Sequence, residues 1–140
     1  MKTRFYLLAF AMVLLTIGLQ AQSFQKGTLV GVHTMKVALK PGVTMDQFLK
    51  EYKDKLIPII KSAYPEWQVY LTSSRRGDAP KGTIGIIYVI KSEKDRDKYF
   101  NADGSDNSLG QIATDKINKG IEKLSKFGTF ETTYTDWIVQ

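Results

Sequence analysis

The sequence of 140 residues contains no cysteine and a single histidine. The lack of cysteine excludes disulfide bonds, thiolate metal sites and cysteine nucleophiles. A single histidine also excludes a zinc site built on a cluster of histidines, because such sites use three or four protein ligands. We therefore predict no protein-ligated metal site, and the function that we favour below uses no cofactor.

The sequence also lacks a concentrated charge of one sign. Lysine and arginine number 20 against 14 aspartates and glutamates, which gives a formal net charge of +6. Acidic residues are mixed with the basic ones along the chain, whereas nucleic-acid-binding domains gather basic residues in one patch or stripe. We therefore predict no nucleic-acid partner.

One long apolar run is present, at the N-terminus. Lys2 and Arg4 precede an apolar stretch over residues 5–19, and Ala21 offers a small residue for cleavage. This pattern is typical of a secretory signal, and about 15 apolar residues are too few to span a bilayer. We predict a signal peptide over residues 1–21 and a mature domain over 22–140, exported to the periplasm or the medium and free of the membrane after cleavage. The exact cleavage site stays open. If cleavage follows Ala21, Leu19 occupies the third residue before the cut, where a small residue is usual.

The mature chain alternates between strand and helix patterns. Apolar residues recur every second position in four stretches, which is typical of strands, and at helical spacing between them. Polar, glycine-rich or proline-containing turns separate the stretches. The patterns predict strands over 29–39, 67–74, 82–91 and 129–139, and helices over 44–63, 93–100 and 108–126.

Three local signals refine the helices. Thr44 and Gln47 form a capping box that starts the first helix, and Pro58 predicts a kink near residues 54–57. The polar segment Asn101–Asn107 predicts a loop that splits the second helical region. Gly128 fits a left-handed residue that ends the last helix. The predicted inner face of that helix consists of Leu109, Ile112, Ala113, Ile117, Ile121 and Leu124.

The order of elements predicts an α+β fold. Two strand–helix–strand halves joined by one hairpin, with right-handed crossovers, favour a ferredoxin-like βαββαβ domain. Its four-stranded antiparallel sheet has the order 4-1-3-2, with the helices on one face and the second helix split by an insertion.

The most apolar part of this sheet is the third strand, at Gly82–Lys91. One of its faces lies under the helices. The other face carries one of two sets of residues, either Gly85, Ile87 and Val89 or Ile84, Ile86, Tyr88 and Ile90. An exposed apolar patch of that size marks an interaction surface. A second copy of the chain is the simplest cover, since most oligomers are symmetric pairs. We predict a homodimer.

Three stretches resemble one superfamily. They are HTMKVALKPGVTMDQFLKEY over residues 33–52, IGIIYVIKSEKDRDKYF over 84–100 and the closing aromatic strand. Together they resemble the dimeric α+β barrel superfamily, which includes the antibiotic-biosynthesis monooxygenases. The resemblance implies two sheets packed face to face as a barrel. Members include oxygenases, haem-degrading enzymes and small-molecule binders, and no catalytic residue carries over by motif.

Several side chains are candidates for a site. His33 and Tyr88 are candidate catalytic residues, although no acidic residue lies next to His33 in the sequence and a structural role is the alternative. Aromatic rings and a loop arginine could bind a ligand, although core packing and solvation are the alternatives. The candidate ligand-binding residues are Trp67, Tyr70, Tyr88, Trp137 and Arg75.

These features favour an exported, homodimeric protein that binds a small molecule. Two alternatives stay open from sequence alone. One is a cofactor-independent monooxygenase or haem-active enzyme of the same fold. The other is a structural or interaction module.

Overall fold

A computed structural model of the protein describes residues 24–79 and 82–140. The predicted signal peptide over residues 1–21 lies outside the described residues. Within the described part of the chain, no helix has the length and apolar character needed to cross a membrane.

Four strands and two helical regions follow one another along the chain. The first helical region has three consecutive segments, and the second has two segments separated by a loop. In chain order the elements are strand β1 (Leu29–Leu39), helix α1 (Met45–Glu51), a π-helical turn (Tyr52–Leu56), helix α2 (Ile57–Ala63), strands β2 (Gln68–Ser73) and β3 (Thr83–Ile90), helices α3 (Glu93–Arg96) and α4 (Ser108–Leu124), and strand β4 (Gly128–Ile138).

The four strands form one antiparallel sheet in the order β2-β3-β1-β4. This order is the predicted 4-1-3-2 arrangement, so the ferredoxin-like prediction is confirmed. Strand β1 lies between β3 and β4, and its residue Gly31 is paired with Tyr88 on one side and Asp136 on the other. Strand β2 forms one edge of the sheet, as predicted.

The first helical region begins as predicted and changes its winding before Pro58. The Thr44 backbone N–H donates to the Gln47 side chain at 2.9 Å, and the Gln47 backbone N–H donates to the Thr44 hydroxyl at 3.3 Å. Proline has no N–H to donate, so the α-helical ladder cannot continue through position 58. Instead the Ile57 N–H bonds the carbonyl of Tyr52 in a π-helical turn. The predicted disruption is in the right place, and its form is this wider turn.

The second helical region is split as predicted, and four of the six residues predicted for the inner face of α4 do face the core: Ala113 and Leu124 are buried, and Ile117 and Ile121 are half-buried. Its buried residues are Gly110, Ala113, Gly120 and Leu124. Leu109 and Ile112 are 56% and 66% exposed, so their predicted burial is wrong. Glycine explains the difference, because a Cβ on Gly120 would lie 2.7 Å from Leu56 Cδ1. The two helical regions therefore approach closely at Gly120.

Gly128 corrects a second expectation. It does not adopt a left-handed conformation. It begins β4 instead, where it pairs with Leu39 and where the carbonyl of Ala38 leaves no room for a side chain. Close backbone approach, rather than a helix end, requires glycine at this position.

The sheet has a covered side and an open side. The covered side lies against the helices. The open side carries every second residue of each strand, whose side chains point away from the helices. On β3, Ile84, Ile86 and Ile90 are buried on the covered side, whereas Ile87 and Val89 lie on the open side and are only partly buried. The structure thereby settles which set of β3 residues faces away from the helices.

Strand β4 is the least covered part of the sheet. Tyr134, Thr132 and Asp136 share the covered side in register, yet all three are exposed. Tyr134 is 71% exposed. The helices therefore close over β2, β3 and β1, and leave an opening along β4.

Candidate functional site

A cavity of about 370 Å³ lies between the covered side of the sheet and the helices. Its floor is formed by β1, β3 and β4, and its roof by the π-helical turn, α2 and α4. Apolar side chains supply most of the lining, and a small number of polar groups project among them. The apolar lining includes Met35, Leu56, Ile60, Ile86, Ile117, Ile121 and Phe130.

Stacked aromatic rings form one end of the cavity. The rings of Tyr64 and Trp67 stack at 4.2 Å between centroids, and Phe100 lies 6.1 Å from Trp67. Trp67 is 9% exposed, and its indole Nε1 is buried without a hydrogen-bond acceptor. A buried donor without a partner costs about 1–3 kcal/mol of stability. Because Nε1 itself is inaccessible, Trp67 presents the carbon surface of its ring to the cavity and not its N–H.

Three tyrosines bring hydroxyl groups to the cavity. Burial raises the pKa values of Tyr52, Tyr88 and Tyr64 above the ordinary value for tyrosine. Tyr88 adds to the rise in the pKa of Tyr52, and Tyr64 adds to the rise in the pKa of Tyr88. The three hydroxyls are therefore protonated at physiological pH, and each can donate one hydrogen bond.

His33 lies at the side of the cavity that opens along β4. Its ring contacts Tyr88 edge-on at 4.8 Å and Tyr134 at 5.4 Å between centroids. Burial lowers the pKa of His33, and the negative charge of Asp136 partly opposes that change. The imidazole is therefore neutral at pH 7 and can accept a proton or a hydrogen bond.

An acid does lie near His33, contrary to the sequence-based expectation. Asp136 is brought there by the pairing of β4 with β1, one register row away from His33. Gly31 makes room for it, because a Cβ on Gly31 would lie 2.9 Å from Asp136 Oδ1 and 3.6 Å from Tyr88 Cβ. The missing side chain on the central strand thus opens space between Tyr88 and Asp136.

Arg96 lines the aromatic end of the cavity from α3. Its guanidinium carbon lies 5.4 Å from the centroid of Phe100, and its Nη1 donates to Asp97 at 3.1 Å. In the sequence, charges of alternating sign surround Arg96, a pattern typical of a solvated helix face. Arg96 was missed because its guanidinium is held over the ring of Phe100, four residues further on, and the charge pattern does not reveal that contact.

Three of the site residues predicted from the sequence line the same cavity. His33, Trp67 and Tyr88 all line it. Trp137, by register, and Tyr70 lie on the open side of the sheet and are 62% and 46% exposed. Arg75 lies in the exposed loop between β2 and β3.

The lining residues that sequence reasoning missed include Tyr52, Tyr64, Arg96 and Asp136. Tyr52 belongs to the apolar stripe of the first helical region, so helical spacing predicted its burial without revealing a cavity, and Tyr64 stood out only as the end of that helix. Within the described ranges, no group of three or more histidine, aspartate or glutamate side chains converges on a point where a metal could bind.

Comparisons with known proteins place the chain by fold. No protein-family model matches it, and a search of curated proteins finds no match. Among solved structures, it is similar to an uncharacterized NIPSNAP-like domain protein from Burkholderia xenovorans, with a TM-score of 0.57 and 9% identity over 83% of this chain and 88% of that chain. The fold is ferredoxin-like.

Two weaker similarities accompany this one. A dimeric protein of unknown function and ferredoxin-like fold from Bacteroides fragilis has a TM-score of 0.49 and 10% identity, over 84% of this chain and all of its own. SnoaB, a cofactor-independent oxygenase from Streptomyces nogalater, has a TM-score of 0.45 and 12% identity, over 78% of this chain and 91% of its own. Similarities of this strength carry no argument about activity or assembly.

The environment of His33 predicts its titration. As the only histidine in the sequence, it gives a single imidazole signal in a proton NMR titration. We expect a pKa for His33 below the ordinary value of 6.5, and a still lower pKa in Asp136→Asn, because that change removes the charge that favours the imidazolium. Since the unfolded chain then binds the proton more tightly, the free energy of unfolding falls as pH drops through 6.5.

The control for this titration is His33→Gln. Its free energy of unfolding should depend less on pH between about 7.5 and 5.5, where carboxylates contribute little. A pKa for His33 at or above its ordinary value, or one that Asp136→Asn raises, would contradict the assignment.

Proposed function

We propose that the protein binds a small, mostly apolar molecule in this cavity. The observation that carries the proposal is the cavity itself, about 370 Å³ of space above Gly31 with an apolar lining and a few polar side chains, among them His33 and Tyr88. Cavities that bind small molecules are on the order of 300–1,000 Å³ and combine an apolar lining with a few placed polar groups. The lining tyrosines and His33 are such groups.

The rings in the cavity favour a planar ligand. Tyr88 lies edge-on to both Trp67 and His33, at 5.9 and 4.8 Å between centroids. Aromatic side chains prefer stacked and edge-to-face contacts, which a flat ligand can extend. The opening along β4, beside Tyr134, gives such a ligand a route of entry.

The open side of the sheet supports the second part of the proposal, that two copies associate. In one register row Val30 lies between Val89 and Trp137, and in the next Val32 lies beside Ile87. These side chains form a continuous apolar surface without a covering helix. Exposed apolar patches of this kind mark interfaces, and a second copy with the same surface gives a closed, self-complementary pair.

Export completes the proposal and rests on the sequence alone. The basic residues Lys2 and Arg4, the apolar stretch over residues 5–19 and the small Ala21 are the three regions of a secretory signal. We propose that the mature protein begins near residue 22 and acts in the periplasm or the medium.

Filling the cavity tests ligand binding. Ile117 is half-buried and lines the cavity from α4, so Ile117→Trp places a large ring in the space that a ligand would use. We expect the wild-type protein to bind the neutral fluorescent probe N-phenyl-1-naphthylamine. The variant should bind this probe at least about tenfold more weakly, which is a loss of about 1.4 kcal/mol or more in binding free energy.

The matched control for this variant is Ile112→Trp. It adds the same ring to the same helix, but at a position that is 66% exposed. It should bind the probe like the wild-type protein. Equal affinity of the probe for wild type and Ile117→Trp, or no binding to wild type, would refute the proposal that this cavity holds a ligand.

Native mass spectrometry of the exported protein tests both association and processing. We expect a dimer at micromolar concentration, with each copy lighter by residues 1–21. Ile87→Glu places a charge in the centre of the open side, where association would bury it, and should give a single copy because an unpaired buried charge is costly.

Ile112→Glu is the control for that variant, since it adds the same charge to an exposed apolar site away from the open side. It should remain a dimer. A stable single copy of the wild-type protein would overturn the association, and a full-length mass would overturn the processing.

A further inference from the structure

One carboxylate projects into the part of the cavity that lies above β1. Asp136 is paired with Gly31 in the sheet, and its side chain lines the cavity. Its Oδ1 lies 2.9 Å from the position that a Cβ on Gly31 would take, and Tyr88 Cβ lies 3.6 Å from the same position. An acidic oxygen and a tyrosine side chain therefore flank the space above Gly31.

Asp136 has no cationic partner within residues 24–79 and 82–140, because none of the ion pairs formed there includes it. The neighbouring His33 does not supply a positive charge, since burial lowers its pKa and the imidazole is neutral at pH 7. The carboxylate therefore remains available to a ligand that carries a positive charge.

The other charged residue of the lining is compensated by acids at its own end of the cavity. Arg96 lies at the aromatic end, where its Nη1 donates to Asp97 at 3.1 Å. Asp106 adds a second negative charge there, because the pKa of Tyr64 is raised by burial and, to a smaller extent, by Asp106. The uncompensated charge of the lining is therefore the negative one along β4.

Aromatic rings lie close to this carboxylate. The imidazole of His33 lies 4.8 Å from the ring of Tyr88 and 5.4 Å from that of Tyr134 between centroids. Asp136 is near enough to His33 for its charge to oppose the lowering of the His33 pKa by burial. Tyrosine rings attract cations through their faces. A protonated amine also has N–H donors for the carboxylate and for the lone pair of the neutral imidazole.

The opening along β4 lets a charged group stay in contact with water. Tyr134 is 71% exposed, and Asp136 is exposed as well. Burial of a charge is costly, so an ammonium group at this opening keeps part of its hydration while an attached ring enters the apolar cavity. The same group placed beside Arg96 would meet a like charge. These differences orient a cationic ligand with its ring inwards.

We infer that the ligand is a planar aromatic amine, whose ring lies in the apolar cavity and whose ammonium group pairs with Asp136 at the opening along β4. The inference rests on the proposed function, since it specifies the ligand class for the same cavity. Ion pairs and cation–π contacts at exposed sites change an affinity by only a few fold each, so we expect a modest preference for the cation.

A pair of probes of nearly equal shape tests the inference. Calorimetric titration at neutral pH compares 2-naphthylmethylamine, which is protonated, with the neutral 2-naphthylmethanol. We expect the wild-type protein to bind the amine about fivefold more tightly than the alcohol, or better. In Asp136→Asn this preference should disappear through weaker binding of the amine, with the affinity for the alcohol unchanged.

Three further variants separate the site from the net charge. Glu131→Gln removes a negative charge from an exposed position of the same strand, which by register lies on the open side of the sheet, and should keep the full preference. Asp136→Glu keeps the charge and should keep most of the preference. Ile117→Trp fills the cavity and should weaken the binding of both probes. Circular dichroism spectra should match between all variants.

The NMR signal of His33 locates the ammonium group in the wild-type protein. A cation near the imidazole disfavours a second positive charge, so saturating 2-naphthylmethylamine should lower the pKa of His33 more than saturating 2-naphthylmethanol does. This measurement keeps the inference testable if Asp136→Asn does not fold. An equal effect of the two ligands on His33 would overturn the amine site.

The outcomes distinguish the two levels of the proposal. Equal affinity of wild type for the amine and the alcohol, with N-phenyl-1-naphthylamine still bound, overturns the amine site alone. The amine site is also overturned if Asp136→Asn keeps the preference, if Glu131→Gln loses it to the same extent, or if Ile117→Trp binds the amine like the wild type. Failure of all three probes to bind overturns the proposed function as well.

Discussion

The alternation of side chains along β1 is the constraint on which the rest of the molecule depends. This strand is hydrogen-bonded on both edges, so a shift of its register by one residue would exchange its two faces. Gly31, His33 and Met35 face the helices, and Val30 and Val32 face away. Because successive side chains of β1 point to opposite faces, the cavity lies on one side of the sheet and the uncovered apolar surface lies on the other.

The helices complete the cavity because their winding is irregular. Pro58 forces a π-helical turn, and this turn carries Tyr52 and Leu56, which are 2% and 1% exposed. Gly120 lets the two helical regions approach closely at Leu56. The roof covers β2, β3 and β1, and it leaves β4 uncovered on the far side.

Local patterns in the sequence predicted most of the fold, and non-local pairing decided the site. The Thr44 capping box and the strand order follow from nearby residues or from general rules of connection. The neighbourhood of His33 and Asp136 depends on the register between the first and last strands, which no local pattern specifies. The exposure of Leu109 was mispredicted for a related reason, because helical spacing identifies an apolar stripe but small glycines can replace it at the contact.

The cavity lowers the stability of the fold, because it leaves unfilled a space that packed side chains could occupy. A core selected for packing alone would fill the space above Gly31 with apolar side chains. Here that space stays open, and three tyrosine hydroxyls beside it are desolvated enough to raise their pKa values. Departures from local consistency concentrate at functional sites. Their collection around one cavity, beside a central strand that is otherwise regular, supports a role for that cavity beyond holding the fold together.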